Sequence, residues 1–123
     1  MTKTAMITLA ATLAAMPVEA REKAHLLILT NAIGAVESGM NYAAVGDGKK
    51  AVGAWQVHVA YVTWCRDRLV EDGIVNPSPE QIYLAFTMGF AGAKAVGHSL
   101  VTAPKAKADA AERVGNIYRE LIK

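Results

Sequence analysis

A chain of 123 residues, 53% hydrophobic and 20% charged, has material for one domain with one modest core. Its formal net charge of +2 comes from interspersed signs, which excludes the concentrated basic footprint of a nucleic-acid binder. With a single cysteine, Cys65, no intrachain disulfide can form, so core packing must hold the fold.

The first twenty residues, MTKTAMITLAATLAAMPVEA, differ from the rest. Lys3 is a short positive region, Ala5 to Met16 is uncharged, and Pro17 breaks the run before Val18-Glu19-Ala20. That is the pattern of a secretory signal, with an apolar run too short to span a bilayer comfortably. Residues 1–20 are therefore expected to be a signal peptide, and residues 21–123 a single catalytic domain that is secreted or periplasmic. Stable membrane insertion of the mature chain is not expected.

From Arg21 to Ser38, Leu26, Leu29, Ile33 and Val36 recur at spacings of three and four, and Gly39 follows as a stop. The spacing predicts a helix. Asp47-Gly48 has turn chemistry, and Ala51-Val52 and Trp55-Val57 read as short strands beyond it, so a small β-hairpin is expected here. Val59 to Val70 is helical again, with Val62, Cys65 and Leu69 in register and Gly73 as the stop. In that register Cys65 reads as a buried small hydrophobe.

After the linker GIVNPSPEQ, Ser78 can cap a helix that begins at Pro79, with Gln81 completing a capping box. Gly89, Ala91, Gly92 and Ala93 suggest close approach by another backbone. A last helix, about Pro104 to Ile122, carries Ala111, Val114, Tyr118 and Leu121 on one face. The expected fold is α+β and predominantly helical, with the hairpin after the first long helix.

Glu37 follows Ile33 and Val36 in register, at a helix end whose carbonyl dipoles disfavour negative charge. A carboxyl held there against apolar surface should stay protonated to higher pH, as a general acid requires. The glycines at 39, 46, 48 and 53 leave room beside it, and Tyr42, Trp55, Tyr61 and Trp64 offer flat faces for sugar rings. Gln56 can both donate and accept.

The stretch VESG, followed by AVGDGKKAVGAWQV, resembles the lysozyme-like superfamily, in particular lytic transglycosylase and phage lysozyme-type domains. In that family the first long helix ends in Glu-Ser, followed by a hairpin and a Gly-x-x-Gln element; here these are Glu37-Ser38 and Gly53 to Gln56. The resemblance covers roughly residues 32 to 62, and it looks most like small secreted or phage-encoded members, including virion-associated ones.

It implies a monomeric, cofactor-free and metal-free enzyme that cleaves peptidoglycan glycan strands between N-acetylmuramic acid and N-acetylglucosamine, as a lytic transglycosylase or a hydrolytic lysozyme, with a catalytically silent lysozyme-like protein that binds glycan or a partner as the alternative. Glu37 would be the general acid and base. Ser38, Gly53, Trp55, Gln56, His58 and Tyr61 would orient the acid or line the groove. A hydrolytic lysozyme would also want a second carboxylate, for which Asp47 is the candidate.

The later family segment Ala-Tyr-Asn-Ala-Gly is matched only weakly by LAFTMGFAGAKAV. Phe86 and Thr87 replace its tyrosine and asparagine, unless Tyr83 or Tyr118 supplies the hydroxyl in space. His25, His58 and His98 have no metal-ligand spacing, and GFAGAKAVG lacks the ending of a phosphate loop.

Overall fold

A computed structural model describes residues 11–38 and 48–123, with side chains described for 11–37 and 57–123. After a short helical stretch at residues 11–15 come four helices: α1 (Val18–Ser38), α2 (Gly48–Glu71), α3 (Pro79–Ala95) and α4 (Lys105–Leu121). Each packs on two neighbours, in the cycle α1, α2, α3, α4 and back to α1. This leaves α1 and α3 diagonal to one another.

Among the described residues there is no strand, so the protein is small and all-α, and the expected α+β class is corrected. The return strand assigned to Ala51-Val52 and Trp55-Val57 lies inside a helix of 24 residues. The reason is visible in the spacing. Counting back from Leu69, Cys65 and Val62, the same helical register reaches Val59, Trp55 and Ala51, so the apolar residues that mimic alternation also continue the α2 stripe. Gly53 inside it costs about 1 kcal/mol relative to alanine, which tertiary packing readily overrides. Asp47, at the expected turn, lies outside the described residues.

The core is built from the predicted faces. Leu26, Leu29 and Ile33 of α1 meet Val62, Cys65 and Leu69 of α2, with Ala110, Ala111 and Val114 closing from α4. Cys65 is fully buried, and that burial pushes its thiol up to about 11 despite a hydrogen bond with Tyr61. It is packing material rather than a nucleophile. Thr30 is also buried, and its hydroxyl donates to the Leu26 carbonyl at 2.8 Å, which satisfies it within α1.

Helix α3 begins as its sequence dictates. The Ser78 hydroxyl accepts from the Gln81 amide at 3.1 Å, Gln81 Oε1 accepts from the Ser78 amide at 3.0 Å, and Pro79 occupies the first turn. Four consecutive residues, Ile82 to Ala85, are then buried, covering most of the helix circumference. Gly89 departs from helical geometry at φ 76° and ψ 156°, so it marks a kink in α3. No atom stands within 4 Å of where its Cβ would be; the glycine serves backbone conformation, not the close approach inferred for this stretch.

At the far end of α3, Asp72 binds Lys94 at 2.9 Å and His98 Nε2 at 3.2 Å, which ties the α2–α3 linker to the end of α3. Gly115 of α4 plays a packing role. A Cβ there would fall 2.6 Å from the Glu80 carboxyl, whose oxygen pairs with Arg119 at 3.2 Å. Replacing Ser78 with alanine should lower unfolding stability by about 1 kcal/mol, because it removes the hydroxyl that accepts from the Gln81 amide at the head of α3. Chemical denaturation of the Ser78→Ala variant checks this; no change would mean the cap is dispensable.

Candidate active site

Glu37 stands in the last turn of α1 with its side chain exposed. The apolar setting expected around it is not provided by the described residues, so its role must rest on specific partners. The partner is Tyr83, which reaches from α3 across the bundle diagonal and is itself 1% exposed.

Tyr83 resists ionisation for several reasons. Burial is the largest, a hydrogen bond from Thr87 opposes it, and the negative charge and hydrogen bonding of Glu37 add to it, with Arg113 pulling the other way. Glu37 thus favours the neutral phenol, whereas Thr87 favours the phenolate. Thr87 Oγ1 in turn accepts from Lys107 Nζ of α4 at 2.8 Å. Lys107, Thr87, Tyr83 and Glu37 thus form one chain of influence across three helices, in which Lys107 holds Thr87 while Thr87 and Glu37 act in opposite directions on the phenol.

Tyr83 and Tyr118 were alternatives for the missing hydroxyl, and only Tyr83 is near Glu37. Tyr118 instead bonds His25 Nδ1 at 2.5 Å, between α4 and the first half of α1. Thr87, which displaces the family's asparagine, supports Tyr83 from one turn further along α3. Helical spacing four residues after Tyr83 was the signal for that pairing. Lys107 could not have been read from the sequence, because its contact crosses between helices.

Around this chain lies a set of rings. Phe86 sits 6.3 Å from Tyr83, nearly parallel at 22°, and Tyr61 of α2 lies 5.3 Å from Phe86. His58 meets Phe86 edge-on at 5.9 Å, and Trp64 stacks on Tyr61 at 5.8 Å. His58 and Tyr61 are therefore within one ring cluster with Phe86 and Tyr83. Gly53, Trp55 and Gln56 lie on the first half of α2, and Ser38 ends α1, but their side chains lie outside the described residues. The same holds for the whole of Asp47.

The described residues contain no group of three or more His, Cys, Asp or Glu able to hold a metal. No described helix is long and apolar enough to cross a membrane. A cleft of about 840 Å³ lies at the opposite end of α1, lined by Leu26, Val70 and Ile74 with His25, Arg66 and Tyr118 at its edge. Leu26 and Glu37 are separated by roughly 16 Å along the helix axis, so this cleft is separate from the Glu37 cluster. Comparison with protein-family models, curated proteins and solved structures finds no match.

The Tyr83 phenol provides a test of the chain. It should titrate above its ordinary value near 10. Glu37→Gln should bring the value down, since the opposing negative charge is gone, and Thr87→Val should push it up, since the phenolate loses a donor. NMR titration of the tyrosine Cζ resonances reads both; a Tyr83 signal indifferent to both substitutions would break the chain.

Proposed function

We propose that this protein is a secreted or periplasmic enzyme that cleaves peptidoglycan glycan strands between N-acetylmuramic acid and N-acetylglucosamine, as a lytic transglycosylase. The observation that carries the reading is the exposed Glu37 carboxyl at the end of α1, which acts on the buried Tyr83 phenol of α3. The VESG and GAWQ motifs ask for a carboxyl at that helix end, and a tyrosine from the later helix is the helper the Phe86-Thr87 replacement left missing.

In this reaction Glu37, protonated, gives its proton to the glycosidic oxygen as the bond from C1 of the muramyl residue breaks. The resulting carboxylate then removes the proton from the muramyl 6-hydroxyl, whose oxygen bonds to C1. The products are a 1,6-anhydro end and a free 4-hydroxyl, and no water is consumed. Tyr83, held by Thr87 and Lys107, orients the carboxyl through both steps. A single carboxyl suffices for this route, whereas hydrolysis calls for a second one placed across the sugar. The exposed position of Glu37 leaves it accessible to a polymer.

Purified sacculi provide the assay. The wild type should clear their turbidity, and Glu37→Gln should reduce the rate by a factor of about 100 or more, the usual weight of a lost general acid. Mass spectrometry of the released fragments should find anhydro ends. Reducing ends would assign hydrolysis instead, and identical inactivity of folded wild type and variant would overturn the proposal.

A further inference from the structure

The cleft beside the first half of α1 takes no part in the Glu37 chemistry. Its volume of about 840 Å³ lies within the range of small-molecule sites, and residues of all four helices and the α2–α3 linker line it. The walls are largely apolar. Leu26 of α1 and Ile82 of α3 are core residues that reach its surface, whereas Val70 of α2 and Val75 of the linker are 50% and 83% exposed. These two valines leave apolar area in water that the body of a ligand would cover. The Tyr118 hydroxyl and His25 Nδ1 bond one another at 2.5 Å, and burial raises the phenol above its ordinary value, so Tyr118 adds no charge.

The charge at the rim selects the kind of ligand. Three carboxylates, Glu22, Asp67 and Glu71, line the cleft with one guanidinium, Arg66. Glu71 is balanced from outside the cleft by Arg68 at 3.0 Å. Arg66 Nε binds Asp67 at 2.8 Å, while Glu22 stands 3.9 Å from the same guanidinium, at the limit of an ion pair. One cation therefore serves two carboxylates, and the rim keeps an excess of negative charge. An anionic ligand would face that excess. A metal ion is also unsuited, because the described residues hold no group of three or more His, Cys, Asp or Glu able to ligate one. An excess carboxylate above an apolar wall suits a cation that carries an apolar body.

We propose that this cleft binds a small organic cation, with an ammonium head at the Glu22–Asp67 rim and an aliphatic body along Val70, Ile74 and Val75. The site is independent of the peptidoglycan reading. None of its residues belongs to the Glu37–Tyr83 cluster, and roughly 16 Å of α1 separates the two.

The probe is octylammonium, kept below its aggregation concentration and added to the full chain labelled at its methyl groups. Octanoate and 1-octanol offer a closely similar body with a negative or a neutral head. NMR titration should show saturable octylammonium binding, with the Val70, Ile74 and Val75 methyl signals moving most. Octanoate should bind about tenfold more weakly, the scale of an attraction replaced by a repulsion at a solvated rim, with octanol between them. Glu22→Gln combined with Asp67→Asn should bring octylammonium and octanoate to about equal affinity while octanol binding is kept. Both side chains are more than half exposed, and preserved spectral dispersion verifies the fold of the variant. Val70→Trp, which fills the cleft from an exposed position, should weaken all three ligands alike.

Failure of octylammonium to saturate, octanoate binding as tightly, or shifts centred on residues outside the cleft would each overturn the proposal. So would an unchanged preference for octylammonium in the Glu22→Gln, Asp67→Asn variant. Cleavage of sacculi, or its absence, bears on Glu37 and leaves this result unaffected.

Discussion

A phenolic hydroxyl inside a helical core has to be satisfied, and at Tyr83 the solution links three helices. The ring is nearly fully buried within the enclosed turn Ile82 to Ala85, so its oxygen cannot rely on bulk water. Thr87 on the same helix favours the phenolate, Lys107 of α4 anchors Thr87, and Glu37 of α1 favours the neutral phenol. α1 and α3 share little interface of their own. The same polar accounting that completes the core therefore positions the carboxyl proposed to do chemistry.

The two ends of α1 are treated differently by the fold. Near its beginning, His25 is held by Tyr118 beside an apolar cleft, and Arg66 lies 3.9 Å from Glu22 at the rim. Near its end, Glu37 faces solvent and acts on the Tyr83 phenol of α3. The size of the cleft suits a small ligand. The Glu37 carboxyl is toward the other end, and for the proposed polymer substrate an open surface is the more suitable geometry.

Much of the helical frame was legible because its signals are local. The three-and-four spacing of Leu26, Leu29 and Ile33 marked the buried face of α1, and Ser78-Pro79-Gln81 marked the start of α3 to the residue. The hairpin was misread because residues 51 to 57 satisfy two periods at once, and the longer helical register of α2 prevailed. Gly89 was misread for another reason: a glycine chosen for its φ looks the same in sequence as one chosen for close packing. Glu37 stood out only through its motif, and the hydroxyl beside it was narrowed to two tyrosines. Distinguishing Tyr83 from Tyr118, and finding Lys107, required knowing which helices meet.

The contact between Glu37 and Tyr83 is best measured by a double-mutant cycle on unfolding free energy, using Glu37→Ala, Tyr83→Phe and the pair. If the phenol and carboxyl interact as described, the two substitutions will be non-additive by more than about 0.5 kcal/mol, because either one alone already breaks the contact. Additivity within about 0.3 kcal/mol would mean the residues are independent, and would contradict the account of the site at its base.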